Sequence, residues 1–207
     1  MKSQTRTLSL TVLLVLGMAL GAVAETAPQP NVVSSAWQLS VKYDAPRVIS
    51  YRLPSDDQPR LYLYMTYTVA NETSEDQMFI PDLWLLTDGG DLLQANRGVA
   101  PSVFKAIKKY LDNPLLESPT QIVGKILQGK DNARDGVAIW PVPDHDVDML
   151  RIFFGGLSGE VHEVTDPNTG EKHLLRKTLM VEYQAPGDRA HMAIKPFIKK
   201  KQDWVVR

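Results

Sequence analysis

Leu61-Tyr62-Leu63-Tyr64-Met65-Thr66-Tyr67-Thr68-Val69 is the stretch that decides the fold. Leu61, Leu63, Met65, Tyr67 and Val69 share one side of an extended chain, and Tyr62, Tyr64, Thr66 and Thr68 share the other. Aromatic and β-branched side chains suit a pleated surface, so the period of two predicts a central β-strand with one face in the core. Upstream, Trp37, Leu39, Val41 and Tyr43 alternate with polar residues in the same way. Pro46 interrupts, and Val48 to Leu53 resumes as a second strand or continues past a bend. Downstream, Asn71 to Asp76 is a polar turn, and Met78 to Leu86 returns as an apolar strand. Asp88-Gly89-Gly90-Asp91 then turns the chain into Leu92-Leu93, giving an antiparallel pair.

The middle of the chain changes period. Val103, Phe104, Ile107, Tyr110 and Leu111 recur at spacings of three and four behind Pro101, which suits a helix N-terminus because its missing N–H needs no partner there. Asn113-Pro114 ends that helix. Ile122, Val123, Ile126 and Leu127 predict a second short helix stopped by Gly129, so residues 101–129 read as a two-helix insertion packed against a sheet. Strands resume at Val137 to Trp140, Met149 to Phe154, Val161 to Thr165 and Leu174 to Tyr183. The last two flank the turn Asp166-Pro167-Asn168-Thr169-Gly170. Met192-Ala193-Ile194 reads as a brief edge strand, and Trp204-Val205-Val206 as a docked tail. Without alternation of strand and helix, the expectation is a mainly β, antiparallel β-sandwich rather than a parallel α/β sheet.

Residues 1–24 combine Lys2 and Arg6, an apolar run from Leu8 to Leu20 and Ala22-Val23-Ala24, the pattern of a cleaved signal peptide. A membrane span needs about 20 apolar residues, so an anchor formed by an uncleaved N-terminal segment is the alternative, and no transmembrane domain is expected in the mature chain. Residues 25–36 read as a flexible linker and 37–207 as a single domain. The 183 residues after position 24 hold 21 basic and 24 acidic side chains, a formal balance of −3. Nucleic acid is therefore not an expected partner. The basic run Lys199-Lys200-Lys201 reads as a solvated face. An exported chain with no cysteine relies on its core instead of disulfides, which favours a periplasmic or secreted protein of the bacterial cell envelope. Asn71-Glu72-Thr73 matches the glycosylation triplet but is chemically idle in that setting.

Leu61 to Leu86 resembles the tyrosine-rich strand, V-x-N turn and returning strand of exported bacterial immunoglobulin-like domains. Asp88-Gly89-Gly90 resembles their next hairpin, and Ile152 to Leu157 a later strand ending before a loop. The resemblance covers about a third of the mature chain and implies an immunoglobulin-like β-sandwich. The departure is the stretch from Pro101 to Gly129, longer than an ordinary inter-strand loop. Such domains serve adhesion, scaffolding and partner contact, and no residue-level site carries over.

Several clusters carry potential chemistry. Asp144, Asp146 and Asp148 alternate and can present oxygens to a hard cation, but the glycine hinge and later carboxylate of a calcium loop are missing. His162 and His173 fall diagonally on one sheet face if Thr165 pairs with Lys172, with no third ligand. Ser158 in Gly155-Gly156-Leu157-Ser158-Gly159-Glu160 lacks a nucleophile elbow, and its glycines suit a bend or a close backbone approach. No catalytic, metal or cofactor set is assigned. Tyr62, Tyr64 and Trp84 are the candidate partner-binding residues, a ring platform for an envelope protein or a glycan. The expected function is a non-catalytic structural or partner-binding role in the bacterial envelope. The alternatives are an extracytoplasmic hydrolase with a loop site near residues 144–160 and a glycan-binding module.

Overall fold

The computed structural model describes residues 27–31, 36–188 and 191–207. The expected signal peptide lies outside these residues, as does half of the 25–36 linker. Among the described residues no helix is long and apolar enough to cross a membrane.

The long strand expected at 61–69 is β3 (Arg60–Asn71). Along one of its edges run β1 (Ser40–Tyr43) and β2 (Arg47–Tyr51), both antiparallel to it. Tyr43 faces Tyr67 while Arg47 faces Tyr64, so the register slips by one residue between β1 and β2. Asp44-Ala45-Pro46 absorbs the extra residue as a bulge, which is where a proline without an N–H is tolerated. The other edge of β3 pairs with β8 (Gly129–Pro141).

The second sheet contains β5 (Asp82–Thr87), β6 (Leu92–Gln94), β9 (Val147–Gly155), β10 (Val161–Thr165), β11 (Lys172–Gly187) and β12 (Ile198–Val206). Its hydrogen-bonded order is β10-β11-β9-β5-β6, with β12 also on β11. Two facing sets of side chains close one core between the sheets. Leu63, Met65, Tyr67 and Val69 of β3 and Trp140 of β8 meet Leu83, Leu85, Ile152, Phe154, Leu179, Val181 and Tyr183. At its centre the Tyr67 ring stands edge-on to Phe154, with centroids 4.8 Å apart. Tyr67 also lies over its cross-strand partner Gly136, where an added Cβ would come within 2.4 Å of the ring. The Trp140 indole N–H donates to the Leu93 carbonyl at 3.1 Å, pinning the first sheet to β6.

The helix α1 (Pro101–Leu111) begins on Pro101 and ends at Asp112 in the left-handed conformation. It packs on the outer face of the first sheet, where Val103, Ile107 and Leu116 bury Tyr62, Tyr64, Val137 and Ile139. The chain is thus mainly β with one short helix among the described residues, and the expected two-helix insertion is corrected. Residues 122–127 hold a strand, β7 (Gly124–Ile126), paired with β4 (Gln77–Phe79). Ile122 and Ile126 are both buried, and a spacing of four keeps residues on one side of a strand as well as of a helix. Val123 and Leu127 are exposed on the opposite face, and Gly124 at φ +146° breaks helical continuity.

Two further expectations are revised. Met78 to Leu86 is interrupted at Ile80-Pro81, so β4 and β5 belong to different sheets. Residues 191–195 form turns held by Ile194 and Lys195 N–H groups donating to the His191 carbonyl, not an edge strand. Lys199, Lys200 and Lys201 lie in β12 itself, exposed along the sheet's outer strand.

Candidate functional site

The outer faces of the two sheets differ. That of the first sheet is covered by α1, whereas that of the second carries a groove of about 850 Å³ floored by Asp82 and Trp84 of β5, Gly155 of β9, and Arg176 and Thr178 of β11. Trp37 and the Gly155–Gly159 loop form one wall, and Met78, Ile80 and Leu92 form an apolar rim. These three rim residues are 56%, 60% and 54% exposed, an unusual concentration of large apolar side chains around a concavity.

The glycines of the wall are required by its geometry. Gly156 sits at φ +84°, and a Cβ there would come within 2.2 Å of the Ile80 carbonyl oxygen. At Gly159 a Cβ would come within 2.5 Å of the Trp37 indole nitrogen. The close backbone approach expected from the sequence is therefore present. Ser158 is held structurally: its hydroxyl donates to the Trp37 carbonyl at 3.2 Å and accepts the Glu160 N–H at 3.1 Å. Neither contact is with a general base, so these residues do not form an activated nucleophile.

Arg176 and Arg207 are direct cross-strand neighbours. Each backbone N–H donates to the other's carbonyl, at 2.7 and 3.2 Å, which puts both side chains on the groove side of the sheet. The Arg207 guanidinium lies 4.7 Å from the Phe153 ring centroid and 5.9 Å from that of Trp84. Burial holds its pKa below the ordinary arginine value while the nearby Asp82 charge opposes that shift. Arginine remains cationic throughout the neutral range. The Trp84 indole N–H donates to Asp82 Oδ1 at 2.7 Å, fixing both groups at the groove floor.

Beside the groove, next to the wall residue Gly159, lies a buried ionic cluster. The Glu160 carboxylate accepts the Asn31 backbone N–H at 2.8 Å, His162 Nε2–H at 2.9 Å and the Lys177 ammonium at 3.1 Å. The Asn31 hydrogen bond, followed by those from His162 and Lys177, lowers its pKa to about 2 against the opposing cost of burial. Lys177 also lies 5.3 Å from the Trp204 ring centroid. All three donors to Glu160 are engaged in holding it as a charged acceptor, an arrangement that locks a carboxylate in place and does not poise it for proton transfer at neutral pH.

The other sequence candidates are dispersed. Tyr62 and Tyr64 are 3% and 2% exposed beneath α1, on the opposite sheet from Trp84, so the three-ring platform does not form. Of that set, Trp84 alone lines the groove. Thr165 does pair with Lys172, placing His162 opposite Leu175 and His173 opposite Val164. His162 turns to Glu160, and His173 is exposed. Residues 144–146 are an exposed loop leading into β9, and among the described residues no three His, Asp or Glu side chains converge to hold a metal ion. Asn71 is a buried structural amide: it donates to the Glu75 and Ile126 carbonyls and accepts the Thr73 N–H.

Sequence reasoning missed the residues that make the groove. Arg176 and Arg207 meet only through the register of β11 and β12, and the apolar rim combines Met78 and Ile80 from one segment with Leu92 from another. The local signals are the alternation that sets Trp84 opposite in phase to Leu83 and Leu85 and the glycines of residues 155–159, which mark a close backbone approach at the wall. No protein-family model, curated protein or solved structure matches the chain.

Proposed function

We propose that this chain is a non-catalytic recognition protein of the bacterial cell envelope, holding its ligand in the groove between Trp37 and Trp84. The observation that carries this reading is the set of exposed Met78, Ile80 and Leu92 around a floor that holds Trp84. Large apolar side chains left in water around a concave face indicate a surface completed by binding. The signal-like N-terminus and the absence of cysteine supply the envelope assignment. Two antiparallel sheets closing one core are compatible with a sandwich of the immunoglobulin-like kind, a class in which loops and sheet faces vary to suit partners.

The glycan reading is weaker because the exposed side chains of Met78, Ile80 and Leu92 around the groove offer no hydrogen-bond partners to sugar hydroxyls. The hydrolase reading is weaker because Ser158 and Glu160 are engaged in structural hydrogen bonds. A photocrosslinker at Leu92, exposed in living cells and read by mass spectrometry, tests the proposal together with a broad hydrolase screen. Adducts lost on Trp84→Ala support recognition through the groove. Turnover abolished by Asp146→Asn or Glu160→Gln, with no Trp84-dependent adduct, overturns it.

A further inference from the structure

The outer face of the second sheet treats its arginines in two ways. Arg151 Nε sits 2.6 Å from Glu182 Oε2, a cross-strand ion pair on β9 and β11. Arg176 of β11 and Arg207, the residue after the end of β12, lie directly opposite one another and hold no side-chain hydrogen bond or ion pair among the described residues, the Asp82 carboxylate on the groove floor offsetting only one of the two charges. Like charges facing each other across a ladder repel, and one of these two is in addition partly desolvated against Trp84 and Phe153. The pair becomes favourable once an anion lies between the two guanidiniums, whose planar forks suit a carboxylate or phosphate. The rings hold one fork in place beforehand, which reduces the ordering cost of binding.

The rest of the groove says what the anion is attached to. Trp84, Leu92, Met78 and Ile80 extend from the arginines as an apolar surface. The strands flooring the groove are paired on both edges, β5 with β6 and β9, and β9 with β5 and β11. Their backbone groups are thus already satisfied. An extended peptide laid there would bury its own amides without partners, whereas a hydrocarbon chain would not.

We propose that the groove binds an amphiphile of one apolar chain carrying one anionic head, the head between Arg176 and Arg207 and the chain along Trp84 and Leu92 toward Met78 and Ile80. This deepens the recognition reading and rests on it. The shared chemistry is that of a free fatty acid and of a single-chain phosphate ester, which differ only in the head.

Calorimetric titration of the purified protein with decanoate, decyl phosphate, decanol and decyltrimethylammonium, all below their micelle concentrations, tests it. At least one of the two anions should bind tenfold or more tightly than decanol and the cation, and the stronger of the two identifies the head. Lengthening the chain from ten to twelve carbons should tighten binding about three- to tenfold, since each buried methylene contributes about fourfold at most. Arg176→Gln and Arg207→Gln should each erase the preference for the anion while leaving decanol binding within twofold. Leu92→Asn, at an exposed position, should weaken anion and alcohol together. Equal binding of the cation, an unchanged anion preference in both arginine variants, or tighter binding of an acidic apolar peptide would overturn the assignment. If none of the amphiphiles binds yet the Leu92 photocrosslinker still gives Trp84-dependent adducts, this inference fails and the recognition reading stands. If neither occurs, both fail.

Discussion

Replacing Glu160 by Gln tests whether the ionic cluster beside the groove holds the 27–31 segment and β10 in place. The side chain of Lys177 is 5% exposed and that of Glu160 2% exposed, so the substitution leaves an ammonium in a nearly closed site without its counter-ion. Removing one partner of such a pair costs about 3–5 kcal/mol. Hydrogen bonds from Asn31 and His162 remain available to the side-chain oxygen of the introduced glutamine, so a loss at the lower end of that range, about 3 kcal/mol at pH 7, is expected. Glu160→Gln/Lys177→Met, which removes both charges, should recover most of it. The acid limb supplies an independent reading. Glu160 is lowered to about 2 from an ordinary value near 4.5, so its stabilisation is complete above about pH 4.5 and is lost as pH falls toward 2. Urea unfolding followed by tryptophan fluorescence between pH 3 and 7 measures both effects. The gap between wild type and Glu160→Gln should narrow steadily below pH 4.5. A single variant within 0.5 kcal/mol of wild type at pH 7, or a gap independent of pH, would refute the reasoning.

Ile107→Ala should lower stability by about 3 kcal/mol, because Ile107 is fully buried between α1 and Tyr62 and Tyr64. Thermal melts measure the loss, and tyrosine nitration should report the newly accessible rings. Gly136→Ala places a Cβ 2.4 Å from the buried Tyr67 ring and should cost about 3 kcal/mol in chemical unfolding, with no left-handed backbone to blame. Changing Lys199, Lys200 and Lys201 together to Thr should promote concentration-dependent self-association in sedimentation velocity, since exposed lysines on an outer strand discourage further strand pairing.

The fold was legible where one face of a strand was buried along its whole length. Leu61 to Val69 is the clearest case, because a continuous core face enforces alternation. It was illegible at 122–127 because residues 122 and 126 satisfy two periods at once, and the choice between them is made by pairing with β4, a contact distant in sequence. The polar start of β8, Gly129 to Asp135, carries no apolar signal since its residues are exposed or half-buried. Tyr62 and Tyr64 were correctly assigned to the face opposite the main core, but whether that face met solvent depended on where α1 folded back. The binding residues were least legible of all. Arg176 and Arg207 acquire meaning only as a pair, and that pairing is fixed by the β11–β12 register.

The two sheets solve the same problem differently, and the difference places the groove. Each presents aromatic side chains on its outer face, Tyr62 and Tyr64 on the first, Trp84 and Phe153 on the second. The first sheet covers its rings with a helix whose buried residues are all apolar, so that face is complete without a ligand. Among the described residues the second sheet has no such helix over Trp84 and Phe153, and the guanidinium of Arg207 lies across them. A cation on a ring contributes about 0.5–2 kcal/mol and covers only part of its surface, less than a packed helix would supply. The wall glycines, Gly156 and Gly159, then bring the Ile80 backbone and the Trp37 ring in close beside this uncovered face and give it depth. What remains is a concave surface in which the apolar area asks for a hydrocarbon and the two facing cations, offset only in part by Asp82, ask for an anion, which is why a single molecule carrying both satisfies the face better than either alone.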